Sequence, residues 1–188
     1  MVAVASHPAG DGSGERLRQA ALELFSRDGY HGVSLRRLAN VVGLLPGSLY
    51  HYFEGKQDLL FELIEDYELD VLQLFRNAGR GRRSALTPSA LLEDYLVLVQ
   101  RQWASAQVAQ HEFRHLSSRQ RARIGALRQQ QVQAFSQALG GVRHDPGMAL
   151  GALAQLLRAM AQSQADAAVA TTEQVAALAG LVAALVRR

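Results

Sequence analysis

Apolar side chains recur every three and four residues along almost the whole chain, and no stretch alternates with the period of a strand. Leu17, Ala20, Ala21, Leu24 and Phe25 form the first such stripe, one face of a helix with 3.6 residues per turn. Gly29 ends it, a residue suited to a left-handed C-terminal cap. Ser34 is a natural N-cap for a short second helix carrying Leu35, Leu38, Ala39 and Val42 on one side. Gly43 breaks the chain, Leu44 plugs the turn, and a third short helix runs from about Leu45 to Tyr52. A longer pattern starts near Gln57, carries Leu60, Leu63, Ile64, Tyr67, Val71 and Leu74, and stops at the AGRGRRS linker, residues 78–84.

The second half repeats the theme. Thr87, Pro88 and Ser89 open a helix bearing Leu92, Tyr95, Leu96, Val99 and Trp103, and a short piece holds HEFRH, residues 111–115. Ser117 or Ser118 caps a long helix that reaches Leu139 and closes at Gly140 and Gly141. Asp145 and Pro146 start another, and Thr172 caps the last. The expectation is an all-α protein of about nine helices.

A chain of 188 residues with 48% apolar side chains can bury a substantial core. It has no cysteine, so neither a disulfide framework nor a thiolate metal site is available. Residues 1–13 are small and flexible without a basic start or long apolar run, and read as a disordered lead-in rather than a signal peptide. The longest clean apolar run, twelve residues at 175–186, is too short to span a bilayer. A soluble, cytoplasmic protein without a membrane partner is expected. Charge is uneven within a net +3: six bases against three acids from Arg16 to Lys56, then six acids and no base from Asp58 to Asp70. A further arginine group comprises Arg114, Arg119, Arg121, Arg123 and Arg128.

HEFRH matches H-E-x-x-H, which on a helix puts two imidazoles on one face as zinc ligands, with the glutamate as general base. A catalytic zinc also wants a third protein ligand and a water. In the longer signature a glycine and a third histidine would stand where this chain has Ser118 and Arg121. Five arginines with no acid between positions 114 and 128 make a poor neighbourhood for a dication. The match is expected to be accidental, with no metal, no cofactor and no catalysis.

Two short helices joined by a glycine-containing turn make a helix-turn-helix, whose second helix enters the DNA major groove. The stretch GYHGVSLRRLANVVGLLPGSLYHYFEGKQDLL, residues 29–60, resembles the DNA-binding domain of TetR-family transcriptional regulators. The matching letters include Gly29, Tyr30, Ser34, Leu38, Ala39, Gly43, Gly47, Leu49, Tyr50, Tyr52, Phe53, Lys56 and Leu59. The likeness implies a DNA-binding domain at 14–60 and a helical ligand-binding and dimerisation domain at 61–188. It further implies a homodimeric repressor that a small hydrophobic or acyl-CoA-type effector releases from a palindromic operator.

The resemblance assigns the phosphate clamp to Tyr50, Tyr52 and Lys56, and base reading to Arg36, Pro46, Gly47, Ser48 and His51, with Ser34, Arg37 and Leu45 completing the surface. Arginine suits guanine, and a small residue such as Gly47 permits close approach. The family's usual polar N-cap and basic neighbour are here Leu45 and Pro46, so their base contacts would be apolar, for example to thymine methyls. Tyr95, Gln102, Trp103, His111, Phe113, Arg114 and His115 are the candidates for an effector pocket, being apolar and polar residues of the kind such pockets mix. The arginines between 114 and 128 suit coenzyme A phosphates or, equally, a solvated face. A zinc hydrolase and a helical adaptor without DNA affinity are the competing functions.

Overall fold

Glycines and hydroxyl caps cut the chain where the apolar stripes predict, and a computed structural model describes residues 12–80 and 88–138. Six α-helices are present there: α1 Gly12–Gly32, α2 Leu35–Val42, α3 Lys56–Arg80, α4 Pro88–Arg101, α5 Trp103–His111 and α6 Ser118–Ala138. Two 3₁₀ turns, Pro46–His51 and Phe113–His115, complete the described residues, which contain no strand. The all-α class therefore holds among the described residues. The lead-in at 1–11, linker residues 81–84, the cap Thr87 and the last two expected helices, with their small-residue faces, lie outside the described residues. No helix among the described residues is long and apolar enough to cross a membrane.

The chain divides into two compact units. The first takes residues up to Ile64 together with Ala104–Gln120; the second takes Glu65–Trp103 together with residues from Arg121 onward. The helix-turn-helix unit thus recruits a distant strap, residues 104–120, alongside its own helices.

In the first unit Leu17, Phe25, Leu38, Leu49, Leu59, Leu60 and Ile64 are essentially inaccessible to water, and α2 packs against both α1 and the Pro46–His51 turn. Burying an aliphatic or aromatic side chain of this kind stabilises by about 1.5–3 kcal/mol. The strap adds Val108, Ala109 and Leu116 to the buried set. Ser117 and Gln120 start α6 with a reciprocal capping box. The Gln120 N–H donates to Ser117 Oγ at 3.3 Å, and the Ser117 N–H donates to Gln120 Oε1 at 2.9 Å.

Two details depart from expectation. The stop at Gly29 is real, but its backbone (φ 70°, ψ 164°) is not the left-handed helical cap expected there. It is an extended mirror-image conformation that glycine alone adopts readily. Gly43, at φ 72° and ψ 28°, is the left-handed cap, and its N–H reaches the Ala39 and Asn40 carbonyls. The helix expected to run through Trp103 is interrupted at Gln102, which separates α4 from α5.

The second unit has an aromatic and ionic core. Phe75 meets Phe135 edge-on at 5.2 Å and Tyr95 at 5.5 Å. Burial pushes the Tyr95 hydroxyl up to about 12 and also raises that of Tyr67, to which it is hydrogen bonded. The buried carboxylate of Glu68 accepts from Arg128 Nε at 2.7 Å and from Gln131 Nε2 at 2.7 Å, so it is fully paired. Arg123 meets Glu65 at 2.6 Å. Two of the five arginines at 114–128 therefore neutralise acids of α3.

Gly29→Ala is expected to lower stability by about 1–3 kcal/mol, because its conformation is strained for any Cβ-bearing residue. Gly43→Asn should cost less than about 1 kcal/mol, since asparagine tolerates the left-handed region and open space surrounds that position. Urea unfolding followed by circular dichroism measures both, and equal losses would contradict the conformational distinction.

Candidate nucleic-acid interface

A short polar-capped helix followed by a tight turn presents one continuous surface from Ser34 to Tyr52. Ser34, extended at φ −97° and ψ 153°, caps α2 by accepting the Arg37 N–H at 3.1 Å. Arg36 is exposed on the first turn of α2. Arg37 is turned the other way: its guanidinium pairs with Asp28 at 2.6 Å and donates to the Gly32 carbonyl at 3.2 Å.

The next element forms as a 3₁₀ turn rather than an α-helix. Pro46 occupies its first position, Leu45 precedes it without any side-chain cap, and the Ser48 N–H donates to the Leu45 carbonyl at 2.9 Å. Proline at a first turn is tolerated because its missing N–H would have no intrahelical partner. Only Leu49 points into the core; Leu45, Pro46, Gly47, Tyr50 and His51 are exposed and Ser48 is half-buried. Leu45 is 76% exposed, Tyr50 61% and Val41, on α2, 59%. Three large apolar or amphipathic side chains thus face solvent from one small motif. Val41 was not among the residues singled out by the sequence.

Tyr52 is half-buried, its ring against the start of α1, where a methyl added to Gly14 would come within 3.3 Å of it. Lys56 is also half-buried. Its ammonium donates to the Val33 carbonyl at 2.6 Å and lies 4.0 Å from the centre of the Tyr30 ring. Burial holds that ammonium below the ordinary lysine value. One face of Lys56 thus braces the unit internally. The backbone around it opens α3: Gly55 accepts from the Asp58 and Leu59 N–H groups, leaving first-turn donors of the kind that bind anions.

The residues singled out for an effector pocket fall in both units. Tyr95, Gln102 and Trp103 belong to the second unit, where Gln102 donates to Asp70 at 2.7 Å. His111, Phe113, Arg114 and His115 belong to the first. In HEFRH the helix ends at His111, Glu112 is a turn residue, and Phe113–His115 is a 3₁₀ turn, so the two histidines do not share a helical face. His111 is exposed, whereas His115 packs on Tyr30 at 5.1 Å between ring centres. Among the described residues no group of three or more His, Asp or Glu side chains is placed to hold a metal ion.

The sequence and fold have known relatives. The family model described as "Bacterial regulatory proteins, tetR family" matches residues 17–63. The chain is 28% identical over 120 residues to the HTH-type transcriptional repressor KstR2 of Rhodococcus jostii (strain RHA1), covering 61% of this chain and 59% of that one. A tetR-family bacterial regulatory protein from Rhodococcus RHA1 shares the fold with a TM-score of 0.80 at 22% identity, over 94% of this chain and 98% of that one. AibR, solved in complex with isovaleryl coenzyme A and operator DNA, does so with a TM-score of 0.70 at 23% identity, over 93% and 98% of the two chains. Residues 17–63 thus match the TetR-family sequence model, and the described fold is shared with TetR-family structures.

Ser34→Ala is expected to cost about 1 kcal/mol of stability by removing the α2 cap, and Ser34→Thr much less. Thermal unfolding of the two variants checks this; equal behaviour would mean the Ser34–Arg37 bond contributes nothing.

Proposed function

We propose that this chain is a DNA-binding transcriptional regulator, a repressor acting as a homodimer in the cytoplasm. In this proposal the Pro46–His51 turn enters the major groove, and the unit's role is recognition rather than catalysis. The observation that carries it is the exposure of Leu45, Tyr50 and Val41 beside Arg36 and His51 on one capped helix-turn-helix. Solvent gives no reason for such a surface, while base edges and thymine methyls do.

Within that reading the contacts sort into two kinds. Tyr50, Tyr52 and the backbone donors at the start of α3, with Lys56 beside them, hold phosphates and set register without reading sequence. Arg36 takes a guanine edge, while Leu45 and Pro46 lie against thymine methyls and Gly47 lets the backbone come close. Arg37 and Ser34 serve mainly to fix α2, given their internal bonds. A two-fold dimer would repeat these contacts on successive turns of the duplex, so the operator is a palindrome.

Release follows from a small molecule bound by the C-terminal half. AibR, whose fold is shared, was solved with an acyl-CoA and operator DNA together, which supports an effector of that class here. Tyr95, Gln102 and Trp103 remain the candidates on the second unit. An effector that prefers a DNA-incompetent arrangement lowers affinity by the ratio of its affinities for the two states.

The test uses an operator selected from random duplexes and prepared with thymine or with uracil, which lacks only the methyl. Burying one methyl is worth about 0.8 kcal/mol, so the wild type should prefer the thymine form roughly fourfold. Leu45→Asn should lose that preference. Arg36→Ala should weaken binding by about 1–3 kcal/mol and relax one operator position. Equal affinity of the wild type for both forms would remove the methyl contact, and failure to retain any duplex at low salt would point to a helical adaptor instead.

A further inference from the structure

HEFRH, which the DNA-facing turn does not use, supplies part of the densest titratable cluster described in the first unit. The His115 ring lies nearly parallel to that of Tyr30 (5.1 Å between centres, 16° between planes), and His31 meets His115 edge-on at 4.4 Å. From the strap, Glu112 and Arg114 face this column; from α3, Lys56 lies over the Tyr30 ring and Asp58 bears on the Tyr30 hydroxyl. His31, from the end of α1, completes the set.

One atom carries competing bonds. His115 Nε2 accepts from Arg114 Nε at 3.1 Å, and Glu112 Oε2 lies 3.4 Å from the same nitrogen. A neutral ring with a bare Nε2 can take the Arg114 bond. Once Nε2 carries a proton it cannot accept; it repels Arg114 and donates to Glu112 instead. Glu112 Oε2 is also the oxygen that accepts the Tyr30 N–H at 3.0 Å, at the break in α1. The Tyr30 ring in turn supports the Lys56 ammonium.

We propose that His115 is a proton-sensitive positioning residue for the DNA-contacting end of this unit. Neutral, it leaves Glu112 to hold Tyr30 and Tyr30 to support Lys56; protonated, it draws Glu112 onto itself, adds a cation beside Lys56 and loosens both. The reference to DNA contact rests on the function proposed above; the latch itself does not.

The direction of the effect follows from what surrounds the ring. Burial first, then His31, Arg114 and Lys56, disfavour the imidazolium, and Glu112 alone favours it, so His115 titrates below its ordinary value of 6.5. A histidine depressed in the folded arrangement opposes that arrangement only when protons are plentiful. The latch is fully closed above about pH 6.5 and weakens as pH falls through it toward the depressed value, by about tenfold for each unit of depression.

The experiment follows amide hydrogen exchange of Tyr30 in the full chain, with the Leu38 amide, bonded to the Ser34 carbonyl, as internal reference. Between pH 7.5 and 5.5 the Tyr30 protection factor should fall relative to Leu38, about tenfold for each unit by which His115 lies below its ordinary value. His115→Phe keeps an aromatic ring against Tyr30 but cannot protonate, so its ratio should stay flat. The DNA affinity of the wild type should fall over the same range by the same factor more than that of the variant. His51 is present in both proteins and cancels in that comparison. If His115→Phe does not fold, His31→Gln serves: removing the neighbouring imidazole lessens the depression of His115, so the Tyr30 loss should become smaller. An unchanged Tyr30 ratio in the wild type, or an undiminished loss in His115→Phe, would overturn the latch. A protection change with equal affinity changes in both proteins would overturn the positioning role. A chain that binds no duplex at either pH, yet keeps the Tyr30 response, would sink the DNA-binding proposal while leaving the latch standing.

Discussion

An N–H freed at a helix break has to find an acceptor, because leaving it unpaired and shielded from water costs about 1–3 kcal/mol. Gly29 makes such a break at the end of α1, and the donor it frees belongs to Tyr30. The acceptor comes from eighty-two residues along the chain, as the buried carboxylate of Glu112. Closing that bond brings the whole strap with it. The Gln57 side chain then donates to the His115 carbonyl at 2.8 Å, and the Gln120 side chain to Asp58 at 3.0 Å. The start of α3 is thereby tied to the strap at two further points. Tyr30, bonded through its backbone to Glu112 and through its ring to Lys56 and His115, is where α1, α3 and the strap meet.

Electrostatics divides labour between the two units. The acidic run of α3 would repel a polyanion if left bare, yet much of it is neutralised locally. Arg18 pairs with Glu62 at 2.8 Å in the first unit, and Arg123 and Arg128 pair with Glu65 and Glu68 in the second. Arg18 is itself spent on Glu62, as Arg27 and Arg37 are on Asp28, so of this basic segment Arg36 is the arginine left exposed on α2. The Pro46–His51 turn itself adds little charge. In the proposed function its Pro46, Gly47 and Tyr50, with the preceding Leu45, would favour selectivity through shape and methyl contacts over bulk attraction.

Much of this was legible in the order of residues. The stripe Leu17–Phe25, the cap at Ser34 and the breaks at Gly29 and Gly43 are local signals, and each sits where its chemistry requires. The core residues Leu38, Ala39 and Leu49 follow from the same local pattern. The 3₁₀ form of Pro46–His51 was not legible, since the residue pattern of one and a half turns fits either helix. The partners of Glu112, His115 and Lys56 could not be read either, because they join positions dozens of residues apart that only the packed fold brings together. For the same reason the acid run of α3 and the arginines of α6 were each visible, while their pairing was not. The mismatch of HEFRH with a zinc site lies in backbone geometry: the helix stops between the two histidines, a feature no spacing rule reports.

In the proposed function the surface from Ser34 to Tyr52 reads a particular duplex sequence. The most direct measurement is capture and sequencing of genomic fragments by the purified full chain at moderate salt, without added ligand. The expected result is enrichment of one short palindrome upstream of genes, with thymines shared among the retained fragments at the positions met by Leu45 and Pro46. Fragments recovered without any shared sequence, from a folded protein, would contradict it.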